Sequence, residues 1–310
     1  MRDGRKFGRS GGRRGGFSLL EGLLASGILA FAAAALLFVC ARSDCGSGQD
    51  RPSLGRWAAL GALTGLAMLI RFNSVLWALA PASLWVAAVA GPRAAREGRG
   101  ERALRFTVCG VVCALAAFVV FSPQLAAWKY MHGAFFSGPR DFNLGQDLHV
   151  WQSPNFVNAL FSARRGVFFW MPLSVIGVAG WLLRSAVPKP LRLAAPGIFL
   201  LNAWMIGAWV MWWAGASFGP RFFIDCLPLV AMGVAAIAER LSRTGRLALR
   251  AVVAALVVWN FGLMAQYALR MIDREGDLTY GEVLANQART PAEIVRRLGD
   301  LWRRTDSQGL

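Results

Sequence analysis

The chain has 310 residues, a formal net charge of +17, 56% hydrophobic residues and 13 Trp against 3 Tyr, and its mean hydropathy is +0.44. That profile excludes an ordinary soluble domain and describes a protein with several membrane segments. The charge does not point to nucleic acid. The basic residues lie mostly between apolar runs, where they suit membrane topology and anionic headgroups, and no nucleic-acid-binding motif occurs.

Cys40, Cys45, Cys109, Cys113 and Cys226 are odd in number and lack zinc-ligand spacing. His132 and His149 are the only histidines, too few for a multi-histidine metal site. The sequence therefore implies no metal and no cofactor.

Residues 1–16 are rich in Gly and Arg and are expected to form a disordered basic N-terminus. Gly15-Gly16-Phe17-Ser18-Leu19-Leu20-Glu21 then opens an apolar run to Cys40. Locally this resembles the type IV prepilin N-terminal signature, with Gly16, Phe17 and Glu21 at its matching positions. An ordinary membrane helix reads the same way, and the chain continues into further apolar segments where a pilin would turn soluble.

Further apolar runs cover 57–70, 74–90, 106–121, 167–183, 193–213, 222–238 and 251–269. The expected fold is all-α, a polytopic transmembrane bundle of about eight apolar segments, some short. Arg71-Phe72-Asn73 separates the first two of these runs. An arginine in the middle of one continuous span would cost a few kcal/mol, about 2.5–3.5 on insertion scales, so two short segments meeting there are expected. Ser153-Pro154 should cap an interfacial helix over 155–163, and 291–302 should form an amphipathic helix. The division is thus a basic N-terminus 1–16, a membrane domain 17–270 with a long outer loop 123–166, and an extramembrane tail 271–310.

The basic turns 92–105, 184–192 and 239–250 fall on one side and mark it as cytoplasmic. The loop 123–166, the link 214–221 and the tail are then extracytoplasmic. The same parity puts residues 1–16 outside. Either one early segment does not span, or further helices precede this sequence.

The link is the stretch around which the chain is organised. Trp209, Trp212 and Trp213 form an aromatic belt before it. Gly215 and Gly219 allow tight bends, and Pro220 suits a helix start. Arg221 would open that helix, with Asp225 one α-helical turn on, on the same face, to orient it. The pair reads either as an anion site or as a strut between helices.

Several motifs together resemble bacterial membrane glycosyltransferases of the GT-C class, the group related to protein O-mannosyltransferases (glycosyltransferase family 39). Gly65-Leu66-Ala67-Met68-Leu69-Ile70-Arg71-Phe72-Asn73 stands where that family often has "GLA-hydrophobic-R-P-T", with Phe72 in place of the proline. Pro123-Gln124 and Tyr130-Met131-His132-Gly133 resemble its "PQ … YG-x-P". Leu160-Phe161-Ser162-Ala163-Arg164-Arg165-Gly166-Val167-Phe168-Phe169-Trp170-Met171-Pro172 is close to "LFSPRRGLFFWSP". Trp213-Ala214-Gly215-Ala216-Ser217-Phe218-Gly219-Pro220-Arg221 is close to "WWGGWSFGPR".

The resemblance covers about residues 57–240. It implies transfer of a sugar from a polyprenyl-phosphate-type lipid donor to an acceptor, on the outer face of the bacterial inner membrane. Its partners would be the lipid-linked donor and membrane lipids. Arg221, Ser217, Gly219, Arg164, Arg165 and Arg71 would bind the lipid phosphate, with Arg165 also readable as a simple interfacial anchor. The family's catalytic acid sits in a first outer loop with no counterpart before Trp57, so this sequence is expected to correspond to the C-terminal two-thirds of such an enzyme, inactive alone unless another carboxylate replaces that acid. Asp141 or Asp147 would serve as base in its place. A non-enzymatic polytopic binding or transport protein, or a pilin-like protein anchored by 16–40, would be the alternatives.

Overall fold

A computed structural model describes residues 27–30, 32–37, 39–41, 52–90, 99–135, 150–183, 187–215, 217–274 and 276–307. The described part is about 80% helical and contains no strand. Five helices are long and apolar enough to cross a membrane: Phe72–Ala90, Gly100–His132, Lys189–Ala208, Arg221–Arg240 and Arg243–Ala268. The apolar helices α1 (Gly27–Ala41) and α2 (Leu54–Ile70) are shorter. The prepilin-like residues Gly16, Phe17 and Glu21 lie outside the described residues.

Ser53 caps α2 by accepting from the Arg56 amide at 3.5 Å. The buried side of α2 carries Trp57, Leu60, Gly61, Thr64 and Gly65, a spacing of three and four that defines one helix face. Gly61 and Gly65 lie directly on the backbone of Cys113 and Ala117 in α4 (Arg99–His132), where a Cβ on either glycine would collide. The helix stops at Arg71, whose backbone is extended at φ −147° and ψ 114°. A 3₁₀ turn, Phe72–Ala78, then leads into α3 (Leu79–Ala90). The break expected at Arg71 is present.

The sequence ends the next span near Pro123, but α4 runs through that proline to His132. Pro123 has no N–H for the carbonyl of Val119, and the Ser122 hydroxyl donates to that oxygen instead at 2.8 Å. A side chain one residue upstream thus fills the missing rung.

The expected span 167–183 is not one helix. It divides into α6 (Val167–Trp170) and α7 (Leu173–Trp181), neither long enough to cross a membrane. Pro172 disfavours helical geometry at the residue before it, and Met171 sits at φ −134° and ψ 69°. The interfacial helix is also shorter than expected: α5 covers Phe156–Phe161. Ser153 does not cap it with its hydroxyl, which donates to the Trp204 carbonyl at 2.8 Å.

The centre of the bundle is α8 (Lys189–Ala208), whose buried residues Leu191, Ala195, Ile198, Phe199, Asn202, Ala203 and Ile206 keep helical spacing. It joins a core that also takes Trp57, Trp77, Leu84, Phe106 and Phe223. Behind it, α7 meets α9 (Leu227–Arg240) so closely that Gly177, Gly180 and Gly233 have backbone atoms where Cβ atoms would stand. Trp181 locks the pair by donating to the Leu229 carbonyl at 2.8 Å.

α10 (Arg243–Ala268) buries only Leu263 and Gln266. Near its C-terminal end, Leu263 joins Trp170, Ile272 and Leu278, and Val283 of the last helix, α11 (Tyr280–Ser307), in a second apolar cluster, and Gln266 donates to the Val283 carbonyl. α11 begins well before the proline at 291 that the sequence suggested as its start. Val283, Asn286, Gln287 and Thr290, which dock it, precede that proline, and Arg297 beyond it adds a bond to the Leu269 carbonyl.

Candidate functional site

The link after α8 leaves helical geometry at Trp209, with φ −82° and ψ 134°. Ala214, Gly215 and Gly219 all have positive φ, at 65°, 62° and 59°. The two glycines adopt that region without strain, while Ala214 holds it at a steric cost. The Ser217 hydroxyl donates to the Ala214 carbonyl at 2.9 Å, which fastens the bend internally.

Arg165 ties this link to two other segments. It is 2% exposed. Its Nε donates to the Ser217 carbonyl at 2.9 Å, its Nη1 to the Arg164 carbonyl at 2.6 Å and its Nη2 to the Arg274 carbonyl at 3.2 Å. The guanidinium also lies 5.1 Å from the centre of the Trp170 ring. Burial pushes its pKa down to about 10, so it stays charged at neutral pH. With three of its five N–H donors on backbone carbonyls, Arg165 acts as a strut between these segments. Arg164 sits 4.0 Å from the centre of the Trp213 ring and pairs with the exposed Asp277 at 3.2 Å.

Arg221 opens a 3₁₀ turn, Arg221–Cys226, that continues into α9. The expected pairing with Asp225 assumed an α-helix, in which residues four apart stack. At three residues per turn they are rotated by about 120°, and residues three apart eclipse instead. The carboxylate of Asp225 faces Arg71, at 3.7 Å, and accepts from the Ser74 hydroxyl at 3.3 Å. Asp225 therefore orients Arg71. Arg71 in turn donates to the backbone carbonyl of Arg221 at 2.8 Å. Both arginines lie over the Phe222 ring, at 5.6 Å and 5.4 Å from its centre.

The Nε of Arg221 is buried and has no hydrogen-bond partner among the described residues. Its side chain lines a cavity of about 880 Å³ between the link, the 3₁₀ turn, α6 and the C-terminal end of α10. The lining is mostly apolar, and among the described residues Arg221 is the only charged one in it. Gly219 and Ser217 also line it, so the sequence-chosen residues of the link gather at one wall. Arg71 lines a separate cavity of about 250 Å³, next to Trp209 and Phe222. The candidate bases Asp141 and Asp147 lie outside the described residues.

Two polar residues of the cavity escaped the sequence reading, Asn260 and Tyr267. Asn260 donates to its own helix, to the Leu256 carbonyl at 3.0 Å. A lone amide inside an apolar run was the available signal, because polar groups in a span are costly unless used. Among the described residues no group of three His, Cys, Asp or Glu is placed to hold a metal ion.

Comparisons of the chain with protein-family models, with curated proteins and with solved structures find no match. The functional reading therefore rests on the residues and their geometry.

Proposed function

We propose that the protein is a GT-C-like glycosyltransferase of the bacterial inner membrane, which holds a polyprenyl-phosphate-linked sugar in the Arg221 cavity on the extracytoplasmic side. One observation carries the reading: a single cation with an unbonded Nε stands in a large apolar cavity at the end of a bundle of membrane-length helices. A lipid phosphate supplies what that cavity is short of, an anion with hydrogen-bond acceptors attached to an apolar chain. The volume lies within the usual range for small-molecule sites, about 300–1,000 Å³.

In the proposed reaction an acceptor nucleophile attacks the anomeric carbon of the sugar. The bond to the phosphate oxygen breaks, and polyprenyl phosphate leaves with the bonding pair. Arg221 offsets the charge that grows on the leaving phosphate, and Arg71 holds the backbone of Arg221 in place. Asp141 and Asp147 are the carboxylates proposed as base for the acceptor proton.

The test uses purified protein in lipid nanodiscs, with radiolabelled farnesyl phosphate for binding and a farnesyl-phosphoryl sugar for transfer. Wild type should bind, and Arg221→Lys should bind at least tenfold more weakly, since an ammonium cannot reproduce the guanidinium fork. Equal binding by folded wild type, Arg221→Lys and Arg221→Leu would end the phosphate-site claim. Arg221-dependent binding with no turnover, for any acceptor tried, would retire the transferase half and leave a lipid-phosphate binding protein.

A further inference from the structure

The C-terminal helix α11 presents three distinct faces. At 100° per residue, Val283, Asn286, Gln287 and Thr290 share one side. That side is docked on the end of α10: Gln266 donates to the Val283 carbonyl at 3.2 Å, Gln287 to the Trp259 carbonyl at 3.0 Å, and Asn286 to the Met271 carbonyl at 2.9 Å. About 100° round from it runs a strip of Leu284, Val295 and Leu298, which are 48%, 71% and 54% exposed. On the far flank stand Glu282, Arg289, Arg296 and Asp300, all exposed. Nothing in the described chain covers the apolar strip.

We infer that α11 is a membrane-surface helix whose Leu284–Val295–Leu298 strip is buried in the headgroup–acyl boundary of the bilayer. The docking geometry selects this occupant. α10 is one of the five membrane-length helices, and α11 is bonded mainly to residues at and just beyond its C-terminal end, Gln266, Leu269 and Met271, with the Gln287 side chain reaching back along the span to the Trp259 carbonyl. That places the body of α11 near the level where the span leaves the hydrocarbon. With one face on α10, one of the two remaining flanks meets the lipid. Putting the charged flank there would press Arg289 and Arg296 into the bilayer and leave three large apolar side chains in water. The opposite orientation avoids both costs and matches the apolar-below, charged-above pattern of interfacial helices.

The anchor is mechanically connected to the cavity rim. Tyr280, the first residue of α11, donates to the Phe161 carbonyl, and the segment before it supplies Asp277 to Arg164 and the Arg274 carbonyl to Arg165. A helix held at headgroup depth therefore also sets the depth of the arginine loop.

The test keeps the full chain, with native cysteines replaced, in nanodiscs that contain one copy each. A single cysteine at Val295, Leu298 or Arg289 is labelled with an environment-sensitive fluorophore. The substitutions are at exposed positions, and circular dichroism with size exclusion confirms folding. Nitroxide-bearing lipids should quench the labels at 295 and 298 several-fold more than the label at 289, and aqueous iodide should show the reverse order. Strong iodide quenching and weak lipid quenching at 295 and 298 would overturn the inference. Because each disc holds one copy, lipid quenching there also rules against a second copy as the strip's partner. The readout does not depend on ligand binding, so it stands or falls separately from the proposed function.

Discussion

Arg165 and Arg221 stand at the same end of the bundle, on motifs that read alike as sequence, yet their surroundings differ in kind. The fork of Arg165 is filled by three backbone carbonyls, and the residue is 2% exposed. The Nε of Arg221 is buried without a partner beside a cavity of about 880 Å³. Buried polar groups in folded proteins are almost always bonded, and three of the five N–H donors of Arg165 are spent on the backbone. Arg274 also carries a buried Nε without a partner among the described residues, so what sets Arg221 apart is its open donor together with the cavity its side chain lines. Hydrogen-bond accounting separates two arginines that motif matching groups together.

The comparison is broken most severely by removing the carboxylate that supports the Arg221 region from behind. Asp225→Ala strands Arg71, whose side chain is 14% exposed, and should destabilise the fold by about 3–5 kcal/mol. The double change Arg71→Met with Asp225→Leu should recover much of that loss, because it leaves no lone charge. Thermal unfolding in detergent, compared across the single and double variants, checks both statements.

Arg165→Ala comes next. It leaves the carbonyls of Arg164, Ser217 and Arg274 without their donor, and each buried group left unsatisfied costs about 1–3 kcal/mol. The same unfolding assay should show a loss of roughly 3 kcal/mol. A stable Arg165→Ala that loses only ligand affinity would reverse the roles assigned to the two arginines.

Arg221→Lys should change stability by less than about 0.5 kcal/mol, as expected away from structural features. Its effect belongs to binding, as described above. A fourth prediction concerns sidedness. Cysteines at Phe135 and Ser242, both exposed, lie toward opposite ends of the bundle. In intact cells an impermeant thiol reagent should label 135 and spare 242. The opposite pattern would place the Arg221 cavity on the cytoplasmic face and contradict the donor assignment.

The smallest effect is expected at Glu293, on α11. Hydrogen bonds from Arg296 and then Arg297 hold its carboxyl down to about 2. A lowered pKa contributes stability that is present above the ordinary carboxyl range and lost as pH falls through about 2. The ion pairs sit on the helix surface, with both arginines exposed, so solvent screening keeps the contribution small. Glu293→Gln should leave α11 helical from pH 7 to pH 5, with circular dichroism matching wild type.

The sequence made the long helices legible, because unbroken apolar runs bounded by arginines leave little choice of structure. The break at Arg71 was equally readable from the cost of a charge within a span. Span boundaries were less legible, because proline acts in two ways. Pro172 breaks 167–183 into pieces, whereas Pro123 is absorbed because Ser122 occupies the Val119 carbonyl. No single-residue rule distinguishes these outcomes. At the site, Arg221, Ser217 and Gly219 of the link line one cavity. The partner of Asp225 was not legible, because the switch from α to 3₁₀ geometry over six residues turns it toward Arg71. Asn260 and Tyr267 come to the cavity from α10, some forty residues further on, a juxtaposition that only the packing of α10 creates.

The most direct measurement is photo-crosslinking of the purified protein in nanodiscs with a benzophenone-bearing farnesyl phosphate, followed by peptide mass spectrometry. The account predicts adducts on the cavity walls, at Met211 on the link and Met264 on α10, that are competed by farnesyl phosphate and lost in Arg221→Lys. Adducts confined to surfaces outside this cavity, or undiminished in a folded Arg221→Lys, would contradict it.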